Sequence, residues 1–160
     1  MTQRSGIGFD VHLLAPNTKL ILGGVQIPHH SGLIGHSDGD VLIHSIIDSL
    51  LGASGLGDIG QHFPKNHPDL KNIKSTLMLN KTYKLLNNAQ WRVINVDATI
   101  IAEEPIISPY AESMSEIIAQ EISIDSKSVN IKSTTSDSLG FTGRKEGIAV
   151  MSIATIQELR

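Results

Sequence analysis

The 160 residues carry 13 Lys and Arg against 16 Asp and Glu, a net charge of −3, without a basic run that could neutralise a row of nucleic-acid phosphates. The absence of cysteine excludes disulfides and thiolate metal sites, which leaves His, Asp and Glu as the strong metal ligands. Because the amino terminus lacks the apolar core of a signal peptide and no apolar run approaches the ~20 residues of a membrane span, we expect a cytoplasmic protein with a single domain over residues 1–160.

The first third of the chain is predicted to form two strands and a helix. Strands over 7–14 and 19–27 are expected to pair as a hairpin, since turn residues separate them. A helix is expected after a loop, with Ser37 or Asp38 as its N-cap, because apolar residues then recur at helical spacing: Val41, Leu42, Ile46, Ile47, Leu50 and Leu51.

That first helix is predicted to carry a polar face. Asp40, His44 and Asp48 lie four residues apart and should therefore share one side of the helix. His36 lies just upstream, near the positive end of the helix dipole, where a phosphate is also favoured.

The rest of the chain is predicted to mix helices and strands. Helix-breaking residues over 58–68 indicate a long loop without regular structure. We expect helices over 72–87 and from Ser108-Pro109 onward, strands over 91–102, 128–133 and 148–156, and a glycine-marked connection over 139–147. This mixture predicts an α+β fold in which helices cover one face of a mixed sheet.

Three residues could form a metal site. Alternation along the first strand puts Asp10 and His12 on one face, and His44 on the helix would supply a third ligand. Three protein ligands with an open fourth position are typical of catalytic zinc. The same residues could equally be ordinary polar groups that hydrogen bond to their neighbours.

Four separated motifs then point to a known family. They are Gly8-Phe9-Asp10-Val11-His12, Gly35-His36-Ser37-Asp38-Gly39-Asp40, Leu56-Gly57-Asp58-Ile59-Gly60 and Leu139-Gly140-Phe141-Thr142-Gly143-Arg144. In this order they resemble the 2-C-methyl-D-erythritol 2,4-cyclodiphosphate synthases over nearly the whole chain. The resemblance implies a homotrimer with active sites between subunits, with which the low charged fraction of 18% is compatible.

The resemblance also implies a reaction, a step of non-mevalonate isoprenoid biosynthesis. The 2-phosphate of 4-diphosphocytidyl-2-C-methyl-D-erythritol 2-phosphate would attack the β-phosphorus, close a cyclic diphosphate and expel CMP. An intramolecular phosphoryl transfer needs positioning and charge stabilisation rather than a protein nucleophile. The chain would then be a phosphorus-oxygen lyase. A zinc-dependent phosphoester hydrolase and a metal-stabilised binding protein without catalysis are the alternatives.

The family's functional residues have counterparts here. The resemblance implies that Asp10, His12 and His44 bind zinc, that Asp137 binds a second ion, Mg²⁺ or Mn²⁺, and that His36 and Thr135 stabilise the transition state. It implies substrate contacts at Asp10, His12, His36, Ser37, Asp58, Ile59, Gly60, Phe63, His67, Ala102, Ser108, Thr134, Thr135, Asp137, Phe141 and Arg144. From the residues alone, Ser37 could instead cap the helix, Asp58 could be a turn residue, and Arg144 could pair with Glu146.

Some positions depart from the family's pattern. The segment 63–67 replaces a loop that usually carries acidic residues, Ile106 stands where a lysine is common, and Asp137 stands where glutamate is usual. We expect the remaining histidines to be loop residues without metal roles, because they lack a carboxylate at strand or helix spacing: His29, His30, His62 and His67.

Overall fold

The first and last strands lie side by side at the centre of the sheet. A computed structural model describes residues 1–159, in which β1 (Gln3–Pro16) pairs antiparallel with β7 (Gly147–Glu158) along most of its length. The other strands are β2 (Leu20–Leu22), β3 (Val25–Ile27), β4 (Ser31–Leu33), β5 (Trp91–Ile101) and β6 (Val129–Thr134). The main sheet has the order β4-β1-β7-β5-β6, and β5 and β6 are its parallel pair.

The helices cover one face of this sheet, as predicted. They are α1 (Val41–Ser54), α2 (Ile59–His62), α3 (Ser75–Asn88), α4 (Ala111–Glu121) and α5 (Gly140–Gly143). Helix α1 packs on β1 and β7 and is buried on almost every side, so it forms the centre of the core. The mixed α+β fold is therefore confirmed. Among residues 1–159, none of the helices has both the length and the apolar character needed to span a bilayer.

The predicted hairpin between the first two strands is wrong. Strand β1 instead finds its partners in β7 and β4, and the segment 19–27 folds on itself as the two-stranded sheet β2-β3. Gly23 and Gly24 form the turn of this hairpin, with φ angles of 59° and 77°. Two adjacent glycines with positive φ are the usual solution for a two-residue hairpin turn, because its twist matches that of the strands.

Two expected loops contain short helices. The segment 58–68 holds α2, which begins because the Asp58 carboxylate accepts a hydrogen bond from the Gln61 N–H at 3.0 Å. A 3₁₀ turn follows at Pro68–Leu70, and α5 lies within the connection 139–147. The prediction that 58–68 lacks regular structure is therefore wrong, because a single cap stabilises one turn.

The opposite face of the sheet is exposed and apolar. Residues that face the same side on the paired strands β1 and β7 leave between 43% and 65% of their surface accessible: Ile7, Phe9, Val11, Leu13, Met151 and Ile153. A contiguous apolar patch of this kind marks an interaction surface.

Helix α1 approaches β1 unusually closely at two glycines, Gly6 and Gly8. A Cβ atom at Gly8 would overlap the backbone carbonyl oxygen of Ser45 in α1. Glycine at this position therefore lets the helix lie directly on the strand. The close approach brings His44, the neighbour of Ser45, over the strand residues that follow Gly8.

Candidate metal-binding site

Asp10, His12 and His44 meet at one point. The Asp10 Oδ2 atom lies 3.0 Å from His12 Nε2 and 3.2 Å from His44 Nδ1, and the two ring nitrogens are 3.2 Å apart. The three atoms thus form a nearly equilateral triangle. The prediction that these residues come together is confirmed by the geometry.

The backbone sets the position of each donor. Asp10 and His12 project from the inner face of β1, and the second carboxylate oxygen of Asp10 accepts the Val11 N–H at 2.9 Å. His44 projects from the first turn of α1, which the Gly8 contact holds against the strand. Strand pleat and helix packing together therefore orient the triangle.

The donor set fits a divalent transition metal. Ligand atoms at about 2.0–2.1 Å from a tetrahedral ion lie ~3.3 Å from one another, close to the edges of the observed triangle. One carboxylate oxygen and two imidazole nitrogens are ligands that such metals accept. Three protein donors would leave one coordination position for a further ligand.

The electrostatics of the triangle favour a cation. Burial works against ionisation of Asp10, but the hydrogen bonds and charges of His12 and His44 outweigh it and hold the pKa of Asp10 well below its ordinary value. Burial likewise opposes the charged form of His12, yet its hydrogen bond to Asp10 raises the pKa of His12. The group therefore attracts positive charge, whether as a proton or as a metal ion.

The triangle lies in a cavity of about 340 Å³. Among the residues predicted as site residues, those that line this cavity are Asp10, His12, His36, Ser37, His44, Ile59, Gly60 and Phe63. Lys65 also faces into it and adds a positive charge. Asp58 and His67 do not line this cavity, although both lie in the loop segment that borders it.

Most of the other predicted site residues follow β5 and β6, on the far side of β7, and do not line the cavity. Ile101, at the end of β5, pairs with Ala149 of β7, and Ala149 pairs on its other side with Val11 of β1. Two strand spacings of about 4.8 Å therefore separate the two regions. This second region comprises Ala102, Ser108, Thr134, Thr135 and Asp137, with Phe141 and Arg144 on and after α5.

One carboxylate ties this second region together. Glu103 Oε1 accepts hydrogen bonds from the Ser136 N–H at 3.0 Å, the Ser136 hydroxyl at 3.2 Å and the Ser138 N–H at 3.2 Å. Asp137 and Ser138 have φ angles of 54° and 63°, a left-handed conformation that needs such support. Glu103 thus holds the loop that presents Thr135 and Asp137. Arg144 contacts Glu146 at 3.1 Å, as the ion-pair interpretation expects.

The predicted polar face of α1 is only partly present. Asp40, not Ser37 or Asp38, is the N-cap, and its carboxylate accepts the Ile43 N–H at 3.1 Å. The same buried carboxylate accepts the N–H groups of Gly23 and Gly24 at 3.0 and 2.7 Å. Because a cap residue has non-helical backbone angles, its side chain folds over the helix end instead of continuing the face.

Asp48 has a role in positioning α2. Its carboxylate accepts the Ile59 N–H at 2.8 Å, and burial raises the pKa of Asp48 above its ordinary value. Asp48 therefore holds the segment that carries Asp58, Ile59 and Gly60 against the cavity.

A second histidine cluster differs from the first. The Glu104 Oε1 atom lies 4.0 Å from His29 Nε2 and 3.8 Å from His30 Nε2, so a carboxylate lies near these histidines in space although it is not at strand or helix spacing from them. The residues are 74 or more positions apart in sequence, which no strand or helix spacing can reveal. Lys145 contacts the other carboxylate oxygen of Glu104 at 2.9 Å and so offsets its charge, which distinguishes this cluster from the triangle.

Sequence patterns missed two residues beside the site. Ser75 at the start of α3 and Asp38 in the loop before α1 contact each other, and Ser75 also contacts His44. A serine that begins a helix looks like an ordinary capping residue. Its distance from His44 in sequence hides the contact.

The chain matches known proteins over nearly all its length. The model of the YgbB family matches residues 3–157. A curated 2-C-methyl-D-erythritol 2,4-cyclodiphosphate synthase from Clostridium novyi is 54% identical over 155 residues, 97% of this chain and 99% of that protein.

Solved structures share the fold. The bifunctional IspDF from Campylobacter jejuni superposes with a TM-score of 0.95 at 40% identity; the match covers 99% of this chain and 43% of that longer one. The CDP complex of IspF from Plasmodium falciparum superposes with a TM-score of 0.86 at 33% identity, over 99% of this chain and 97% of that one.

Proposed function

This chain belongs to the YgbB family, and from that premise we propose that it converts 4-diphosphocytidyl-2-C-methyl-D-erythritol 2-phosphate to 2-C-methyl-D-erythritol 2,4-cyclodiphosphate and CMP. The observation that carries the proposal is the triangle of Asp10, His12 and His44 at the cavity. The triangle occurs in a chain that is 54% identical to a protein named as a synthase of this cyclodiphosphate. The whole of 1–160 would act as one synthase-like domain in the cytoplasm, in the non-mevalonate route to isoprenoid precursors.

The reaction would be an intramolecular phosphoryl transfer of the phosphorus-oxygen lyase class. An oxygen of the 2-phosphate forms a bond to the β-phosphorus, and the bond from that phosphorus to the oxygen bridging to the α-phosphate breaks. The electron pair leaves with CMP, so no water is consumed and no side chain is modified. The protein's task is to hold both phosphates in line and to stabilise the negative charge that moves between them.

The metal ligands would divide between the two regions. Asp10, His12 and His44 would hold zinc, and Asp137 would contribute to a Mg²⁺ or Mn²⁺ site. When bound, these ions supply Lewis-acid polarisation of a phosphoryl oxygen and neutralise the diphosphate. The donor set and spacing of the triangle support the zinc assignment.

His36 and Ser37 would bind the phosphates at the cavity. Both line it, and both lie at the entrance to α1, where the helix dipole favours negative charge. His36 would stabilise the transition state as a donor, and Lys65 would add a positive charge on the same wall. Thr135 would play the matching role on the nucleotide side.

The methylerythritol part of the substrate would bind at α2. Asp58 would accept hydrogen bonds from the erythritol hydroxyls, beside the backbone of Ile59 and Gly60. The positioning of α2 by Asp48 supports this assignment, since a carboxylate-held helix presents fixed groups to the cavity. Phe63 and His67 would complete this side of the substrate site.

The nucleotide would bind in the second region. Backbone groups over Ala102–Ser108 would read the cytosine, with Thr134 to Asp137, Phe141 and Arg144 around the phosphates. The CDP complex of the Plasmodium falciparum relative supports a cytidine nucleotide as the ligand class. The support that Glu103 gives to 136–138 would keep this half of the site in shape.

The two regions would meet between subunits of a homotrimer. In one chain β7 separates the cavity from the nucleotide region, so a neighbouring subunit is needed to complete each site. The exposed apolar face of β1 and β7 offers the surface for such assembly. Phe9→Lys, which places a charge on that face, should convert trimer to monomer in sedimentation velocity, whereas a variant that remains trimeric would contradict this surface assignment.

The reaction can be tested directly. Purified protein is incubated with the diphosphocytidyl substrate and a divalent ion, and CMP and the phosphorus products are followed by chromatography and ³¹P NMR. We expect CMP and the cyclic diphosphate in equal amounts. A substrate analogue without the 2-phosphate should release no CMP, because the nucleophile is missing. Release of CMP from that analogue would identify a zinc-dependent hydrolase, and metal binding without CMP release would identify a binding protein.

A further inference from the structure

Ser75 joins His44 to a carboxylate. This fully buried residue begins α3, and its hydroxyl lies 3.0 Å from His44 Nε2, the ring nitrogen that faces away from the triangle. The same hydroxyl makes a short hydrogen bond to Asp38 Oδ1, and the Ser75 backbone N–H donates to Asp38 Oδ2 at 3.0 Å. Asp38 therefore holds Ser75 through both its hydroxyl and its amide.

The chemistry of the three groups sets the direction of these bonds. An ionised carboxylate only accepts hydrogen bonds, so the single hydroxyl proton of Ser75 points to Asp38. The hydroxyl oxygen then has only lone pairs to offer to His44, whose Nε2 must carry the imidazole proton. A metal ion that displaces the hydrogen bond between His44 Nδ1 and Asp10 would then meet the Nδ1 lone pair, in the Nε2–H tautomer that a metal ligand needs.

Asp38 is itself fixed. Its backbone N–H donates to the Ile73 carbonyl at 3.2 Å, and the neighbouring His36 carbonyl accepts the Asn72 N–H at 3.0 Å. Two backbone bonds thus strap the loop before α1 to the segment before α3. The backbone fold therefore fixes the position of the Asp38 carboxylate, independently of the His44 ring.

Ser37 cannot replace Ser75 in this role. Its hydroxyl lies 2.9 Å from the same His44 nitrogen, but within residues 1–159 none of its hydrogen-bond partners is a carboxylate that would orient its proton. It also lines the cavity, whereas Ser75 does not. The two serines beside His44 are therefore distinct, one open to a ligand and one committed to the protein.

We propose that Asp38 and Ser75 are positioning residues that hold His44 in the Nε2–H tautomer and in the orientation that binds metal. The inference rests on the metal site put forward under the proposed function, but it is independent of which reaction the site performs. Partners of this kind behind a ligating histidine typically change metal affinity by about 10–100-fold.

The first test uses zinc alone as the probe. The dissociation constant of the full-length protein is measured by competition with a chromophoric chelator for wild type, Ser75→Ala and Asp38→Asn. Ser49→Ala is the matched control, because Ser49 is another fully buried serine in the core and, among residues 1–159, its hydroxyl bonds only to the Ile46 carbonyl. We expect Ser75→Ala and Asp38→Asn, which each break the hydrogen-bond relay from Asp38 through Ser75 to His44, to bind zinc about 10–100-fold more weakly, and the control to match wild type.

The double variant tests whether the two residues act as one unit. Asp38→Asn with Ser75→Ala should weaken zinc binding no more than Ser75→Ala alone, because the relay is already broken. Asp38→Asn retains an acceptor oxygen for the Ser75 amide, so it carries the test if Ser75→Ala does not fold. Fully additive losses would show two separate structural effects and would overturn the relay.

A second readout reports the tautomer itself. Imidazole ¹⁵N spectra of metal-free protein, assigned with His44→Asn, should show protonated Nε2 in wild type and in Ser49→Ala, and a mixture of tautomers in Ser75→Ala. A wild-type ring that lacks the Nε2 proton, or equal zinc affinities for Ser75→Ala and Ser49→Ala, would overturn the proposal. Both measurements are made without substrate, so a failure to form cyclic product leaves their result unaffected.

Discussion

Replacing Gly8 with alanine should separate α1 from β1 and so disrupt the metal site. The added Cβ would overlap the Ser45 carbonyl oxygen, and neither backbone can rotate out of the way. Non-bonded atoms ordinarily stay about 3.5 Å apart, so the helix would have to retreat by roughly an ångström or more. His44, next to Ser45, would move with it, away from Asp10 and His12.

The size of the effect follows from the kind of contact. Overpacking a core typically costs about 1–3 kcal/mol, and a clash between backbones belongs at the upper end. Alanine also lowers the conformational entropy of the unfolded chain relative to glycine, which offsets about 0.4–1 kcal/mol of the overpacking cost. We therefore expect the free energy of unfolding to fall by about 2 kcal/mol, against a total of roughly 5–15 kcal/mol. Zinc affinity should fall together with it.

Gly52 in α1 provides the control. A Cβ there would meet only the Ile7 carbonyl oxygen, at 3.9 Å, so Gly52→Ala should stabilise the helix by about 0.5–1 kcal/mol. Urea denaturation of metal-free protein and chelator competition measure the two quantities. If Gly8→Ala unfolds at the same urea concentration as wild type and binds zinc equally well, the close packing of α1 on β1 does not position the site.

Three further substitutions test separate parts of the site. His44→Ala should remove bound zinc, measured by mass spectrometry of the metal content, whereas His62→Ala should retain it because that ring bonds to a backbone carbonyl in a loop; zinc in both would exclude His44 as a ligand. Burial raises the pKa of Asp40 to about 6, although three amide hydrogen bonds oppose the shift. The protonated Asp40 carboxyl therefore stabilises the folded protein fully below about pH 4, and this contribution to the free energy of unfolding is lost as the pH rises through 6. Urea denaturation at several pH values should show wild type losing about 3 kcal/mol relative to Asp40→Asn over that window, and parallel pH profiles would contradict the raised pKa. Glu103→Ala removes three hydrogen bonds that anchor the loop, and the loss of even one hydrogen bond to a charged group costs about 1.5 kcal/mol, so CDP binding measured by calorimetry should weaken by about tenfold or more. Unchanged binding would remove that loop from the nucleotide site.

The metal triangle could be predicted because local periodicity determines most of it. A strand pleat places Asp10 and His12 on one face, and helical spacing puts His44 on the side of α1 that meets the strand. The contact between helix and strand was the one tertiary step, and the glycine at position 8 permits it.

The errors arise where a contact joins distant segments. The role of Asp40 depends on the Gly23-Gly24 turn, and the roles of Asp38 and Ser75 depend on α3 reaching the start of α1. Hydrogen bonds between distant segments produce no helical or strand periodicity in the sequence. A capping residue also has the same sequence signature whether its side chain bonds within its own helix or to another segment. The pairing of β1 with β7 cannot be read from the sequence for the same reason, because strands that follow each other in the chain usually pair and these two lie at its opposite ends.

In the proposed reaction the 2-phosphate, and not water, attacks the β-phosphorus. The reaction can be run in H₂¹⁸O with the diphosphocytidyl substrate and a divalent ion, and the CMP and the phosphorus product analysed by mass spectrometry. We expect a cyclic diphosphate and CMP that both lack ¹⁸O. A linear product with one ¹⁸O atom, or labelled CMP, would show attack by water and would contradict the proposed reaction.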